Sequence, residues 1–389
     1  MAPLALEGSG TKGEGGLSLG RTGPDHSRPV LVVLYICIRP CQEEVLAMRI
    51  GVLTGGGDAP GLNAAIRAVT RAALREEWEV LGFKNGWLGV LEKDYIELRR
   101  SSVTGILPRG GTILGTSRTN PFKRPGGEQQ VVENLKELKV DALIPIGGED
   151  TLGVALRLAP KGVHLVGIPK TIDNDLPGTD YSIGFDTAMG VVMDAVDRLH
   201  PTAEAHHRVM VLEVMGRDVG WVATLGGLAG GADLILIPVV PFTLDQVAAH
   251  LKRRHGELKR TFSVIIVAEG AKPQDLQEAI VEETKVDEFG HARLGGIGHL
   301  LAERIEKLTG YETRVTVLGH LQRGGSPSGF DRILATRLGV AAVELVKQGA
   351  FGVMVALKGR QILSVPLKEG ISRTRTVDPE FYKLAQVFY

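Results

Sequence analysis

Short runs of apolar residues alternate along most of this chain with longer stretches in which apolar positions recur every three to four residues. The short runs, at residues 50–54, 80–83, 142–146, 163–168, 209–214, 234–237, 263–267 and 314–318, predict buried strands. The periodic stretches, at 62–75, 128–138, 187–199, 244–254, 296–308 and 331–348, predict helices. In the last of these Ile333, Leu334, Leu338, Ala341, Ala342 and Leu345 share one face, as a core-facing helix requires. Strands alternating with helices predict the α/β class, a mostly parallel sheet with helices on both faces. The first 47 residues stand apart. Residues 7–28 are rich in Gly and Ser without periodicity, and the apolar run 30–38 is short and lacks a cleavage pattern. The segment therefore reads as a disordered extension or as a start mis-assigned upstream of Met48.

Composition narrows the picture. The 389 residues carry 45 Lys plus Arg against 45 Asp plus Glu, so no overall field favours nucleic acid or an anionic membrane. No apolar run approaches the roughly 20 residues of a membrane span. The two cysteines, Cys37 and Cys41, lie in the first segment. That argues against structural disulfides and suits a cytoplasmic protein. Four zinc ligands would need a second pair, which the chain does not have.

The chemistry lies in loops. Gly147-Gly148-Glu149-Asp150-Thr151 and Pro169-Lys170-Thr171-Ile172-Asp173-Asn174-Asp175 each follow a predicted strand, and ligands of open α/β sheets bind outside such strand ends. Glycines with backbone N–H groups suit phosphate, carboxylates suit magnesium, and an aspartate can take a proton from an alcohol. If residues 171–175 are extended, Thr171, Asp173 and Asp175 point the same way. An ordinary Asx turn is the plainer reading. Gly55-Gly56-Gly57-Asp58 joins the first strand to the first helix and fits either a phosphate cradle or a ligand-free tight turn. Arg118 ends a second glycine-rich stretch, where it fits a phosphoryl clamp or a surface charge. Arg208, Arg217, Glu269, Arg314, His320 and Arg323 lie near later strand ends, and such cations suit an anionic, phosphorylated substrate.

Together these residues closely resemble the 6-phosphofructokinase family. The matching strings are GVLTGGGDAPGLNAAIR, RGGTILGTSR, IPIGGED, PKTIDNDLPGTDYSIGFDTA, VLEVMGRDVGW and ETRVTVLGHLQRGGSPSGFDRILATRLG, in order from Met48 to about Gly339. The resemblance implies two α/β lobes with the active site in the cleft between them. Residues 48–184 would form the larger lobe, 185–321 the smaller and 322–372 a return to the larger, with 373–389 as a C-terminal segment. It implies that Asp173 deprotonates the 1-hydroxyl of fructose 6-phosphate and that Thr171 and Arg118 hold the transferring phosphoryl group. Gly56 and Ile172 join the substrate-binding positions, Arg217 lies beside the sugar with Met215 and Gly216, and Glu269 binds its hydroxyls. Arg208 and Arg314 would reach the 6-phosphate from a neighbouring subunit, joined by His320 and Arg323, which implies a homodimer or homotetramer.

The family divides by phosphoryl donor. ATP users typically carry glycine at the positions of Asp150 and Lys170, whereas this chain resembles the pyrophosphate users. A carboxylate at 150 would repel a nucleotide's α-phosphate, and Lys170 would compensate charge on pyrophosphate. The plainer reading of Asp150 is a helix cap. Magnesium would be held by Glu149 and Asp175, with Glu149 standing where the family usually has aspartate. His200 stands where allosteric members carry an effector-binding arginine, which implies weak or absent nucleotide regulation. The expected function is reversible, pyrophosphate-dependent phosphorylation of fructose 6-phosphate in glycolysis. The alternatives are an ATP-dependent enzyme, a non-catalytic sugar-phosphate sensor, or another substrate such as sedoheptulose 7-phosphate.

Overall fold

The computed structural model describes residues 48–276, 295–387 and 389; the segment 1–47, with Cys37 and Cys41, lies outside them. The strands are β1 (Arg49–Thr54), β2 (Glu79–Phe83), β3 (Tyr95–Glu97), β4 (Ala142–Gly147), β5 (Val166–Pro169), β6 (Val209–Val214), β7 (Leu234–Leu236), β8 (Ser263–Ala268), β9 (Thr313–Val317), β10 (Val353–Lys358) and β11 (Gln361–Pro366). They build two sheets, a 7-stranded one in the order β11-β10-β5-β4-β1-β2-β3 and a 4-stranded one in the order β7-β8-β6-β9. The smaller sheet is parallel throughout. In the larger, only the edge strands β3 and β11 run antiparallel.

Both faces of each sheet are covered, which is why the strands read as continuous apolar runs. Ile50 and Val52 of β1 pack with Ile144, Ile146, Val166 and Ile168 on one face, while Leu53 and Leu143 join Phe83 on the other. In the smaller sheet Met210, Leu212 and Ile266 face one core, and Val211, Ile265 and Val267 the other. The helices Leu62–Arg75 and Gly329–Lys347 pack close together through small residues. A Cβ on Gly339 would come within 2.7 Å of Ala68, so this crossing tolerates no larger side chain there.

The chain leaves the larger sheet after β5, runs through the helix Phe185–His206 into the smaller sheet, and returns through Gly329–Lys347 to β10 and β11. The helix predicted over 187–199 extends to His206 with Pro201 inside it. A proline there removes one backbone bond, but Val192, Val196 and Ala203 stay buried along the helix and hold it. The strands β3, β10 and β11 are additions to the sequence expectation. The last two form a hairpin turning at Gly359, whose φ is 56°. Finally the helix Pro379–Gln386 returns Tyr382 and Ala385 to the core of the smaller sheet.

Candidate active site between the two sheets

The carboxyl ends of β1, β4, β5 and β6 all feed one cleft, which is also lined by Arg118 and Arg323. After β1 the loop Gly55–Gly56–Gly57 folds against two side chains. A Cβ on Gly55 would lie 2.5 Å from Thr151 Oγ1, and one on Gly57 3.0 Å from the Arg323 guanidinium. In this loop a side chain at Gly55 would have to displace Thr151, whereas at Gly57 it would meet the movable end of Arg323. The stretch bearing Arg118 is tied to it, since Thr116 Oγ1 donates to the Gly56 carbonyl (2.6 Å) and the Gly56 N–H donates to the Ser117 carbonyl (3.1 Å).

After β4, Gly148 is the N-cap of the helix Glu149–Leu158 and has no side-chain cap. Asp150 is thus not the cap; it sits in the first turn and faces the cleft, as does Glu149. Carboxylates there are favoured by the helix dipole, by about 0.3–1 kcal/mol each.

After β5 the expected extended stretch is instead a turn. The Asp173 N–H donates to Thr171 Oγ1 (3.1 Å), and Asn174 adopts φ 53°. Ser182 holds this shape: its N–H donates to Asn174 Oδ1 (3.0 Å) and its hydroxyl to the Thr171 carbonyl (2.6 Å). Turning the chain, rather than alternating it, brings both aspartates to the cleft. Among the described residues, one oxygen of each, Oδ1, is buried with no hydrogen-bond partner. Burial and the neighbouring Asp175 push Asp173 up to about 7, against the pull of Arg217. Burial likewise raises Asp175.

Lys170 is 3% exposed. Its Nζ donates to the carbonyl of Gly55 (3.1 Å) and to that of Gly57, so it anchors the glycine loop as well as bringing charge to the cleft. Burial and the facing Arg323 lower it to about 8, while Asp58, Asp173 and Asp175 act to hold it charged.

After β6 comes Arg217 at φ 42°, a left-handed conformation that is strained for arginine. Glu269 accepts a hydrogen bond from the Arg217 backbone, and burial raises its pKa. Met215 packs with Ala59, Ile172 and Ala188 beneath the turn, and its N–H donates to Gln322 Oε1 (3.3 Å). Gly216 takes φ 131°.

Of the residues singled out in the sequence, Gly56, Arg118, Glu149, Asp150, Lys170, Thr171, Ile172, Asp173, Asp175, Arg217 and Arg323 line the cleft. Met215, Gly216, Glu269 and His320 do not. Arg208 and Arg314 stand elsewhere, side by side against the carboxylate of Glu312, 2.8 Å from Arg208. Gly57, Asp58, Gly148 and Thr151 also line the cleft and were not assigned site roles. Their signal was their place within the two glycine strings.

The donors fit a hard cation. They are all oxygens, and the two buried Oδ1 atoms lack partners. Among the described residues no three His, Cys, Asp or Glu side chains converge as a full ligand set.

A glycine-lined cleft with buried carboxylates and facing cations, at the strand ends of two α/β sheets, is built for phosphoryl transfer. The phosphofructokinase family model matches residues 49–346. The chain belongs to the phosphofructokinase family. It is 54% identical over 345 residues to the pyrophosphate–fructose 6-phosphate 1-phosphotransferase of Streptomyces coelicolor, covering 88% of this chain and 100% of that one. An ATP-dependent 6-phosphofructokinase of Chloroflexus aggregans is 51% identical over 340 residues, covering 85% of this chain and 93% of that one. The solved pyrophosphate-dependent phosphofructokinase of Marinobacter aquaeolei shares the phosphofructokinase fold, with a TM-score of 0.74 at 22% identity over 86% of each chain. No helix among the described residues is long and apolar enough to cross a membrane.

Proposed function

We propose that this phosphofructokinase transfers a phosphoryl group reversibly from pyrophosphate to the 1-hydroxyl of fructose 6-phosphate, a step of glycolysis. The observation that carries the choice of donor is the pairing of Asp150 with Lys170. Both line the cleft, Asp150 without serving as the helix cap and Lys170 with its Nζ on the glycine loop. A carboxylate at the helix start excludes the α-phosphate of a nucleotide, while the lysine and Arg118 favour the charge of pyrophosphate.

Asp173 is the base. With its pKa near 7 it is ionised in a useful fraction at neutral pH and still basic enough to accept the hydroxyl proton. The sugar oxygen forms its bond to phosphorus as the bridging P–O bond breaks in line, orthophosphate leaves, and the proton passes to Asp173. Thr171 and Arg118 hold the moving phosphoryl group, and Arg217 orients the sugar from a loop that Met215 and Gly216 shape and Glu269 holds through the Arg217 backbone. Glu149 and Asp175 would hold magnesium, which supplies charge neutralisation on the phosphates.

Arg208 and Arg314 reach the 6-phosphate site of a second copy, where they join that copy's own His320 and Arg323, in a homodimer or homotetramer. Ile333, expected on the core-facing side of its helix, is instead 63% exposed, and with Leu321, 74% exposed, it supplies apolar surface for such an interface. The test is fructose-6-phosphate phosphorylation with magnesium, titrating pyrophosphate and ATP in parallel. A much higher kcat/KM with pyrophosphate is expected, and preference for ATP overturns the reading of Asp150 and Lys170.

A further inference from the structure

Residues 371–378 lead from the helix Leu367–Gly370, packed beside the larger sheet, to the helix Pro379–Gln386 beside the smaller one. Arg375 lies midway. Its backbone N–H donates to the carbonyl of Asp175 (2.7 Å). Its guanidinium donates to the carbonyls of Thr179 (3.1 Å) and Asp180 (2.8 Å). One residue thus grips both ends of the segment that follows the Asp173 turn.

The other face of Arg375 belongs to the smaller lobe. The guanidinium lies over the indole of Trp221, 4.6 Å from its centroid, and Trp221 Nε1 donates to the Arg375 carbonyl (2.9 Å). Two residues on, the Val377 N–H donates to the Val219 carbonyl (3.3 Å), and the Val377 side chain is buried in the smaller lobe's core. Val219 and Trp221 follow directly on the loop that carries Arg217.

The bonding is not that of a surface ion pair. The hydrogen bonds of this guanidinium go to main-chain carbonyls, while the nearby Asp180 carboxylate is occupied by Lys358 (3.3 Å) and the Gly359 N–H (2.7 Å). Both bonds leave the one nitrogen Nη1, whose two hydrogens reach the two carbonyls while the planar guanidinium face lies over an aromatic ring.

We propose that Arg375 is a positioning residue that clasps the turn bearing Asp173 to the loop bearing Arg217 and so fixes the base relative to the sugar-binding arginine. The inference rests on the activity proposed above. It adds a residue of the C-terminal segment that touches neither substrate nor metal.

Arg375→Met keeps the stem and removes the guanidinium donors, and Arg375→Lys keeps the charge and side-chain N–H donors without the planar face that lies over Trp221. In Arg375→Met, kcat for pyrophosphate-dependent phosphorylation is expected to fall about 10- to 100-fold, the scale on which small misplacements act. The KM for pyrophosphate should change by less than about threefold, and Arg375→Lys should recover part of kcat. Amide hydrogen exchange in 171–180 and in 215–221 should rise together, with the helix Leu62–Arg75 unchanged. The control is Leu301→Ala, a core cavity in the smaller lobe, which should lose stability yet keep kcat. The clasp is overturned if Arg375→Met keeps kcat within about twofold, if exchange rises in only one of the two segments, or if Leu301→Ala loses kcat equally. Should the unaltered enzyme itself transfer no phosphoryl group, the proposed activity fails, and the exchange experiment still decides the clasp.

Discussion

Replacing Lys170 by methionine separates what this residue does for the fold from what it does for the reaction. Burial takes its pKa from 10.5 to about 8. Holding the charge there costs the folded state about 3 kcal/mol relative to water. Methionine fills similar space and removes that cost, but it leaves the carbonyls of Gly55 and Gly57 without their donor, at about 1–3 kcal/mol each. The two effects largely cancel, so Lys170→Met should change stability at neutral pH by no more than about 3 kcal/mol. Catalysis has no such compensation. Losing the cation proposed to act on the transferring phosphates should cost about 10²–10³ in kcat/KM with pyrophosphate.

The pH dependence carries a definite sign. The lysine's folded pKa lies below its unfolded one, so as pH rises from 8 to 10.5 the folded form loses its proton first and is stabilised. The unfolding free energy of the unaltered enzyme should therefore gain up to about 3 kcal/mol over that window relative to Lys170→Met. Urea unfolding at several pH values, without added metal, measures the first effect, and initial rates with pyrophosphate and magnesium the second. A variant that keeps pyrophosphate turnover within threefold would refute the catalytic role. One whose stability collapses at pH 7, or shows no relative change above pH 8, would refute the accounting for the buried charge.

Three further outcomes follow from the same geometry. Asp150→Gly should lower kcat/KM for pyrophosphate and raise it for ATP by about tenfold or more, and parallel donor titrations read both; no gain with ATP would mean that the carboxylate does not exclude the nucleotide. Asp173→Asn should lower kcat by about 10²–10⁴ with an unchanged circular dichroism spectrum. Because burial raises the Asp173 pKa to about 7, activity of the unaltered enzyme should climb as pH rises through that value, and a profile flat from pH 5 to 8 contradicts it. Asp331 is fully buried and accepts hydrogen bonds from the N–H groups of Gly184 and Thr187 (2.9 Å each) and from the Thr187 hydroxyl. Asp331→Asn turns an amide N–H toward one of those donors and should cost about 1–3 kcal/mol in denaturant unfolding at pH 7. Burial also raises Asp331 to about 6, so the cost should shrink as pH rises from 4 to 7, the range in which the unaltered carboxyl becomes charged in place.

What could be read in advance follows from which forces are local. The strands β1, β4, β6 and β8 are buried on both faces, so composition alone marks them, and the glycine strings mark the loops at their ends. Features that depend on distant partners escaped. The shape of residues 171–175 is imposed by Ser182, whose role becomes visible only once the chain has folded back on itself. The helix beyond Leu199 survives Pro201 because its buried face outweighs one missing backbone bond. Arg375 acts through carbonyl groups that every residue possesses, so no side-chain pattern announces its partners. The asymmetry has a physical basis. Groups that meet substrate must have particular chemistry and leave a signature in residue type, whereas groups that fix their geometry bind the uniform backbone and become legible only in the fold.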